Sequence, residues 1–129
     1  MQEITAEWVD KAESDFAVAH RAIRRYAAEP PIVDAVCFHS QQCVEKYLKA
    51  FLQENNIRFP RAHPLEPLLE MCLSLDEAFE QFREDVVQVD GYAVVIRYPG
   101  VKVTDEMAEA ALAAATRVRA FIRVKLGLD

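Results

Sequence analysis

The chain has 129 residues, 52 % of them hydrophobic, with a formal net charge of −6. That is the length of one domain, residues 1–129, with enough apolar material for a core. An acidic balance argues against tight non-specific binding to nucleic-acid backbone, and six Pro against three Gly leave few of the tight turns an all-β fold needs.

Three cysteines, Cys37, Cys43 and Cys72, fall on apolar helical positions. An odd, scattered set is no disulfide framework, and no close Cys/His grouping suggests zinc. No metal or cofactor is expected. The first residues contain no basic region followed by an apolar one, and no apolar run reaches the length of a membrane span. A cytoplasmic protein without membrane contact is therefore expected.

Thr5 is placed to cap a first helix running to about Ala28. Trp8, Ala12, Phe16, Ala19, Ile23 and Tyr26 recur along it at three- and four-residue steps. Glu29-Pro30-Pro31 ends it. The spacing predicts a second helix from about Ile32 to Glu54, stopped at Asn55-Asn56. Pro64 suits the first turn of a short third helix ending near Leu73, while Pro67 keeps that helix short or distorted. Ser74 or Asp76 caps a fourth helix through about Val89. Gly91 to Gly100 reads alone as a strand ending at Pro-Gly. It has no partner strand in this chain, so an irregular helical continuation and a loop are expected. Thr104 caps the last helix, with Asp105 and Glu106 in its first turn; it runs to about Leu126 and closes at Gly127. The expected fold is all-α: an antiparallel four- to five-helix bundle, up-down, with one short helix between the second and the fourth.

The second helix carries the most informative pattern. At about 100° per residue, Val36, Cys37, Ser40, Cys43, Val44, Tyr47, Leu48 and Phe51 share one side. His39, Gln42, Lys46 and Lys49 share the other, with Glu45 at its margin. The polar side presents donors suited to phosphate oxygens. The plainer reading is a solvated or dimer-facing stripe in which Glu45 pairs with Lys49 at i,i+4. Phe38 lies within this polar side, and a large aromatic there suggests a covered face such as a dimer interface.

With the elements in order, the chain resembles the HEPN family (higher eukaryote and prokaryote nucleotide-binding domain). Trp8, Ala12 and Asp15-Phe16 resemble the family's opening pattern. Cys37-Phe38-His39-Ser40-Gln41-Gln42 with Glu45-Lys46 and Lys49 is similar to its signature helix. His63-Pro64-Leu65 resembles its His-Asp-Leu element with Pro64 in place of the acidic residue, and Arg97-Tyr98-Pro99-Gly100 matches its Arg-Tyr-Pro-Gly element.

The resemblance implies a helical bundle that dimerises and works near nucleotides or RNA. It also implies a prokaryotic setting, often beside a minimal nucleotidyltransferase in two-component cassettes that include toxin–antitoxin pairs. The residues it points to for a nucleotide are His39, Gln42, Lys46, Lys49, Arg97 and Tyr98, with Glu45 and His63 behind them. Many members are ribonucleases whose Arg is followed after four to six residues by His near the last helix. No His follows Arg97 here, and Arg58 and His63 have that separation in the wrong place. No catalytic residue is therefore assigned, and the expected function is a non-catalytic, dimeric, nucleotide- or RNA-associated module. The alternative is a metal-independent ribonuclease using His39 or His63 with Arg97.

Overall fold

The computed structural model describes residues 1–24, 31–61 and 64–129. Five α-helices and one 3₁₀ segment make up the regular structure of those residues: α1 Glu3–Ile23, α2 Val33–Glu54, α3 Leu65–Leu73, the 3₁₀ segment Glu77–Phe82, α4 Arg83–Val95 and α5 Asp105–Lys125. There is no strand among them, so Gly91 to Val95 extends α4 as a helix. No helix among the described residues is long and apolar enough to cross a membrane.

Helix α2 is the axis of the bundle, touching α1, α3, α4 and α5. Its ends fix the direction of α1. The Gln2 backbone N–H donates to Glu54 Oε1 at 2.9 Å, and the Ile32 N–H donates to the Ala22 carbonyl at 2.9 Å, so the two helices run antiparallel. Gln41 meets Asp90 while Phe51 meets Phe79, which sets α4 antiparallel to α2 as well. Asp85 of α4 pairs with Arg117 of α5. The four long helices thus go up, down, up and down, with α3 inserted between α2 and α4.

Two apolar clusters fill the interior. One gathers Leu48, Leu65, Leu69 and the rings of Phe51, Phe79, Phe82 and Phe121. The other gathers Ala19, Val36, Cys37, Ala108, Ala111 and Leu112, where small side chains let α1, α2 and α5 approach closely. The Ala-rich part of α5 therefore packs within the chain. All three cysteines are buried thiols, and burial pushes Cys37 up to about 11 and Cys72 up to about 12. They behave as small apolar groups.

Two start signals read differently in the folded chain. Thr5 does not cap α1: the helix begins at Glu3, and Thr5 is buried inside it with its hydroxyl donating to Glu54 Oε1 at 3.0 Å. Asp76 does act as a cap, its Oδ1 accepting the Ala78 N–H at 2.9 Å, but the segment it starts is 3₁₀ before α4 begins at Arg83. Thr104 caps α5 as expected, accepting the Met107 N–H at 3.1 Å. Asn56 takes the left-handed conformation after α2, with φ 58°. The first helix ends at Ile23, with Arg24 already extended at ψ 139°, short of the end expected near Ala28, while Tyr26 and Ala28 lie outside the described residues.

Candidate functional site

The polar side of α2 lies between α1 and α4, and a carboxylate from each of those helices organises half of it. Asp15 of α1 is buried, and its Oδ1 lies 2.7 Å from His39 Nδ1 while Lys46 Nζ donates to its Oδ2. An ionised carboxylate only accepts, so His39 donates through Nδ1 and keeps Nε2 for another partner. The His39 side chain remains 27 % accessible. The Phe38 ring, 42 % exposed, stands against the His39 ring at 5.0 Å between centroids and 86° between planes.

On the α4 side, Gln42 Nε2 donates to Gln41 Oε1 at 2.8 Å, and Gln41 Nε2 donates to Asp90 Oδ1 at 3.3 Å. Asp90 Oδ2 accepts the Leu65 N–H at 2.8 Å. That contact serves the first turn of α3, whose N-cap is Pro64 and has no capping side chain of its own. Gln41, Pro64, Asp90, Ala93, Val94 and Arg97 line a cleft of about 230 Å³. Arg97 and Tyr98 are exposed at the end of α4, and among the described residues Arg97 has no ion pair, neither with Asp90 nor with Glu45.

Burial raises the Asp90 carboxyl above its ordinary range, with the Leu65 and Gln41 hydrogen bonds opposing and Glu66 and Glu45 adding to the rise. A raised folded-state pKa contributes stability that is present at low pH and lost as pH climbs through it. Asp90→Asn is therefore expected to remove a decline in stability with rising pH, seen in urea midpoints taken from pH 4 to pH 7. An unchanged pH profile for the variant would contradict this.

The sequence-predicted stripe does not stay together. Lys49 and Glu45 leave it for the interior: their side chains are 7 % and 4 % accessible, and Lys49 Nζ donates to Glu45 Oε2 at 3.2 Å. Lys49 Nζ also sits 5.3 Å from the Trp8 ring centroid and 5.8 Å from that of Phe59. The pair expected on a solvated or dimer-facing surface is instead roofed by α1 and by the connection after α2. The accessible stripe consists of Phe38, His39, Gln42 and Lys46, with Arg97 at the cleft and Tyr98 just past it in sequence. His63 lies outside the described residues.

Two features were missed by sequence reasoning. One is the anchoring role of Asp15 and Asp90, since neither position announces its partner locally. The other is a polar latch joining α1, α2 and α5. Glu13 accepts both Arg119 Nε and Nη2 at 2.7 Å, Tyr47 donates to Glu13 Oε2 at 2.7 Å, and Arg123 Nη1 donates to the Tyr47 hydroxyl oxygen at 3.3 Å. Arg119 also lies 4.6 Å from the Phe16 ring centroid. The bidentate Arg119 contact holds the Glu13 carboxyl below its ordinary range. Only the i,i+4 spacing of Arg119 and Arg123 hinted at a shared target. No group of three His, Cys, Asp or Glu side chains suited to a metal ion occurs among the described residues.

This geometry defines a class: a helical-bundle module whose central helix presents an amide- and histidine-bearing stripe tied down from both sides. The family model of the HEPN domain matches residues 5–125, and the chain belongs to the HEPN family. The crystal structure of an archaeal HEPN homologue superposes with a TM-score of 0.72 at 24 % sequence identity, covering 97 % of this chain and 98 % of that one, which shows the same fold. No curated protein matches the chain.

Proposed function

We propose that the protein is a non-catalytic HEPN module that dimerises, binds a nucleotide or short RNA, and works with a partner such as a minimal nucleotidyltransferase in a toxin–antitoxin-like pair in a prokaryotic cytoplasm. The supporting observation is Arg97, an exposed guanidinium with no ion pair among the described residues, on the rim of the cleft that Gln41 and Asp90 line. Such a cation is suited to a phosphate, which it can grip through two N–H groups. Lys46 contributes less charge than its position suggests, because Asp15 neutralises it. The partner protein rests on the family resemblance, and a neighbouring nucleotidyltransferase gene would support it.

Calorimetric titration with ATP and GTP tests the ligand reading. Wild type is expected to bind, and Arg97→Ala to bind about tenfold more weakly, the loss of one charged hydrogen-bonding group. No heat from wild type at millimolar nucleotide would end this reading.

A second reading, a metal-independent ribonuclease, is favoured by one observation: Asp15 fixes His39 through Nδ1, leaving Nε2 for proton transfer. Incubation with RNA separates the two. Cleavage by wild type that is lost in both His39→Ala and Arg97→Ala supports the enzyme. Equal cleavage by wild type, those variants and His63→Ala marks a contaminant.

A further inference from the structure

The exposed part of the α2 stripe is held rigid in a way that phosphate binding alone does not require. Asp90 is an acceptor at both oxygens, so Gln41 must turn its NH₂ group toward it. Gln41 Oε1 is then left to accept, and Gln42 must turn its NH₂ group toward Gln41. One carboxylate thus sets the orientation of two amides in series. The outer one, Gln42, is left with Oε1 as an acceptor and one N–H as a donor. On the other side Asp15 fixes the His39 ring, and His39 stands edge-to-face with Phe38. Phe38 precedes Gln42 by one helical turn, so ring and amide are neighbours on one face. The result is an exposed aromatic surface beside an oriented donor–acceptor pair.

We infer that this stripe reads a nucleobase, the 6-aminopurine ring of an adenine nucleotide, which stacks on Phe38 and pairs with Gln42. The inference rests on the nucleotide reading above and assigns its base. A glutamine amide matches adenine by accepting from the exocyclic N6 amine and donating to N7. Guanine shows two acceptors on that edge, O6 and N7, so Gln42 Oε1 would face O6. An unrestrained glutamine escapes by turning its NH₂ group to O6. Here that NH₂ group is committed to Gln41, and the turn would break the relay to Asp90. Stacking on an aromatic side chain adds affinity without distinguishing bases. Selectivity therefore resides in Gln42, and Asp90 acts as a positioning residue for it.

The test is calorimetric titration of the full chain with AMP, GMP and ribose 5-phosphate. Wild type is expected to prefer AMP over GMP by about tenfold, the discrimination of one good bidentate pair. Gln42→Leu, at a partly exposed helical position, is expected to abolish that preference. Gln42→Glu, which accepts from N6 but cannot donate to N7, is expected to weaken AMP binding while still disfavouring GMP. Asp90→Asn, whose amide can offer Gln41 either a donor or an acceptor, is expected to narrow the AMP-to-GMP ratio, which a purely structural residue would not do. Phe38→Leu keeps an apolar side chain but loses the flat ring, and is expected to weaken both nucleotides about tenfold while leaving their ratio unchanged. Equal affinity of wild type for all three probes would overturn the base reading and leave the phosphate reading standing. Retention of the AMP preference in Gln42→Leu would also overturn it. Binding of none of the probes would overturn both readings.

Discussion

Glu45→Ala is expected to destabilise the fold by about 3–5 kcal/mol, because it strands a buried lysine. Lys49 lies among Trp8, Phe59 and Glu45, and its ammonium is almost wholly removed from water. The two rings attract it through their faces, each worth about 2 kcal/mol when desolvated, which offsets only part of an ammonium's desolvation cost. Glu45 supplies the opposite charge. The reverse substitution is gentler. Lys49→Met fills the same space between the rings with an apolar chain, and Glu45 keeps interactions beyond Lys49. Its expected cost is about 1–2 kcal/mol. Since a whole domain has only about 5–15 kcal/mol of stability, the first variant should lose a large share of its urea resistance and the second a small one. Equal midpoints for Glu45→Ala and wild type would show that this pair is not part of what holds α1 over α2.

The helices and their order were legible because the apolar spacing is regular and the stops are local. Asn55-Asn56, Thr104 and Gly127 act within a few residues of themselves, and α2 spans Val33–Glu54 as the pattern predicts. Thr5 misled for a related reason. A threonine near a helix start has the right chemistry for a cap, but Glu54, at the far end of the antiparallel α2, took its hydroxyl. The candidate site was legible in part. His39, Gln42 and Lys46 stand out as polar groups on one side of α2, and Phe38 as an aromatic among them. What that side faces depends on residues distant in sequence. Trp8 and Phe59 turn Lys49 and Glu45 into interior groups, Asp15 holds His39 and Lys46, and Asp90 orients Gln41. Each of those contacts is a tertiary event with no local signature, so spacing alone could name the helix face but not divide it into accessible and buried halves.

Phe38→Asp is expected to convert a dimer into a monomer. Phe38 is exposed on α2, and Val94 and Tyr98 are exposed on and just beyond α4, at 55 % and 65 %. Val94 lines the cleft that Gln41 also lines, which brings the apolar surface of the two helices to the same side of the bundle. A two-fold axis through that side sets each patch against its own copy and leaves His39, Gln42 and Arg97 at the rim, where polar groups are tolerated. Burying a Phe side chain is worth about 2–3 kcal/mol at about 25 cal/mol per Å², and an aspartate in its place adds the cost of a desolvated charge. The dissociation constant should therefore rise by about a hundredfold or more, enough to separate the subunits at micromolar concentration. Phe38→Leu keeps most of the apolar contact and should remain dimeric. A ring buried between two copies is closed to a base, so dimerisation and stacking compete for Phe38, and saturating AMP is expected to weaken the wild-type dimer. The leucine variant loses base affinity without losing mass. Sedimentation velocity on the three proteins is the measurement. A wild-type monomer, or an aspartate variant with the wild-type mass, would place Phe38 outside any interface between copies of this chain.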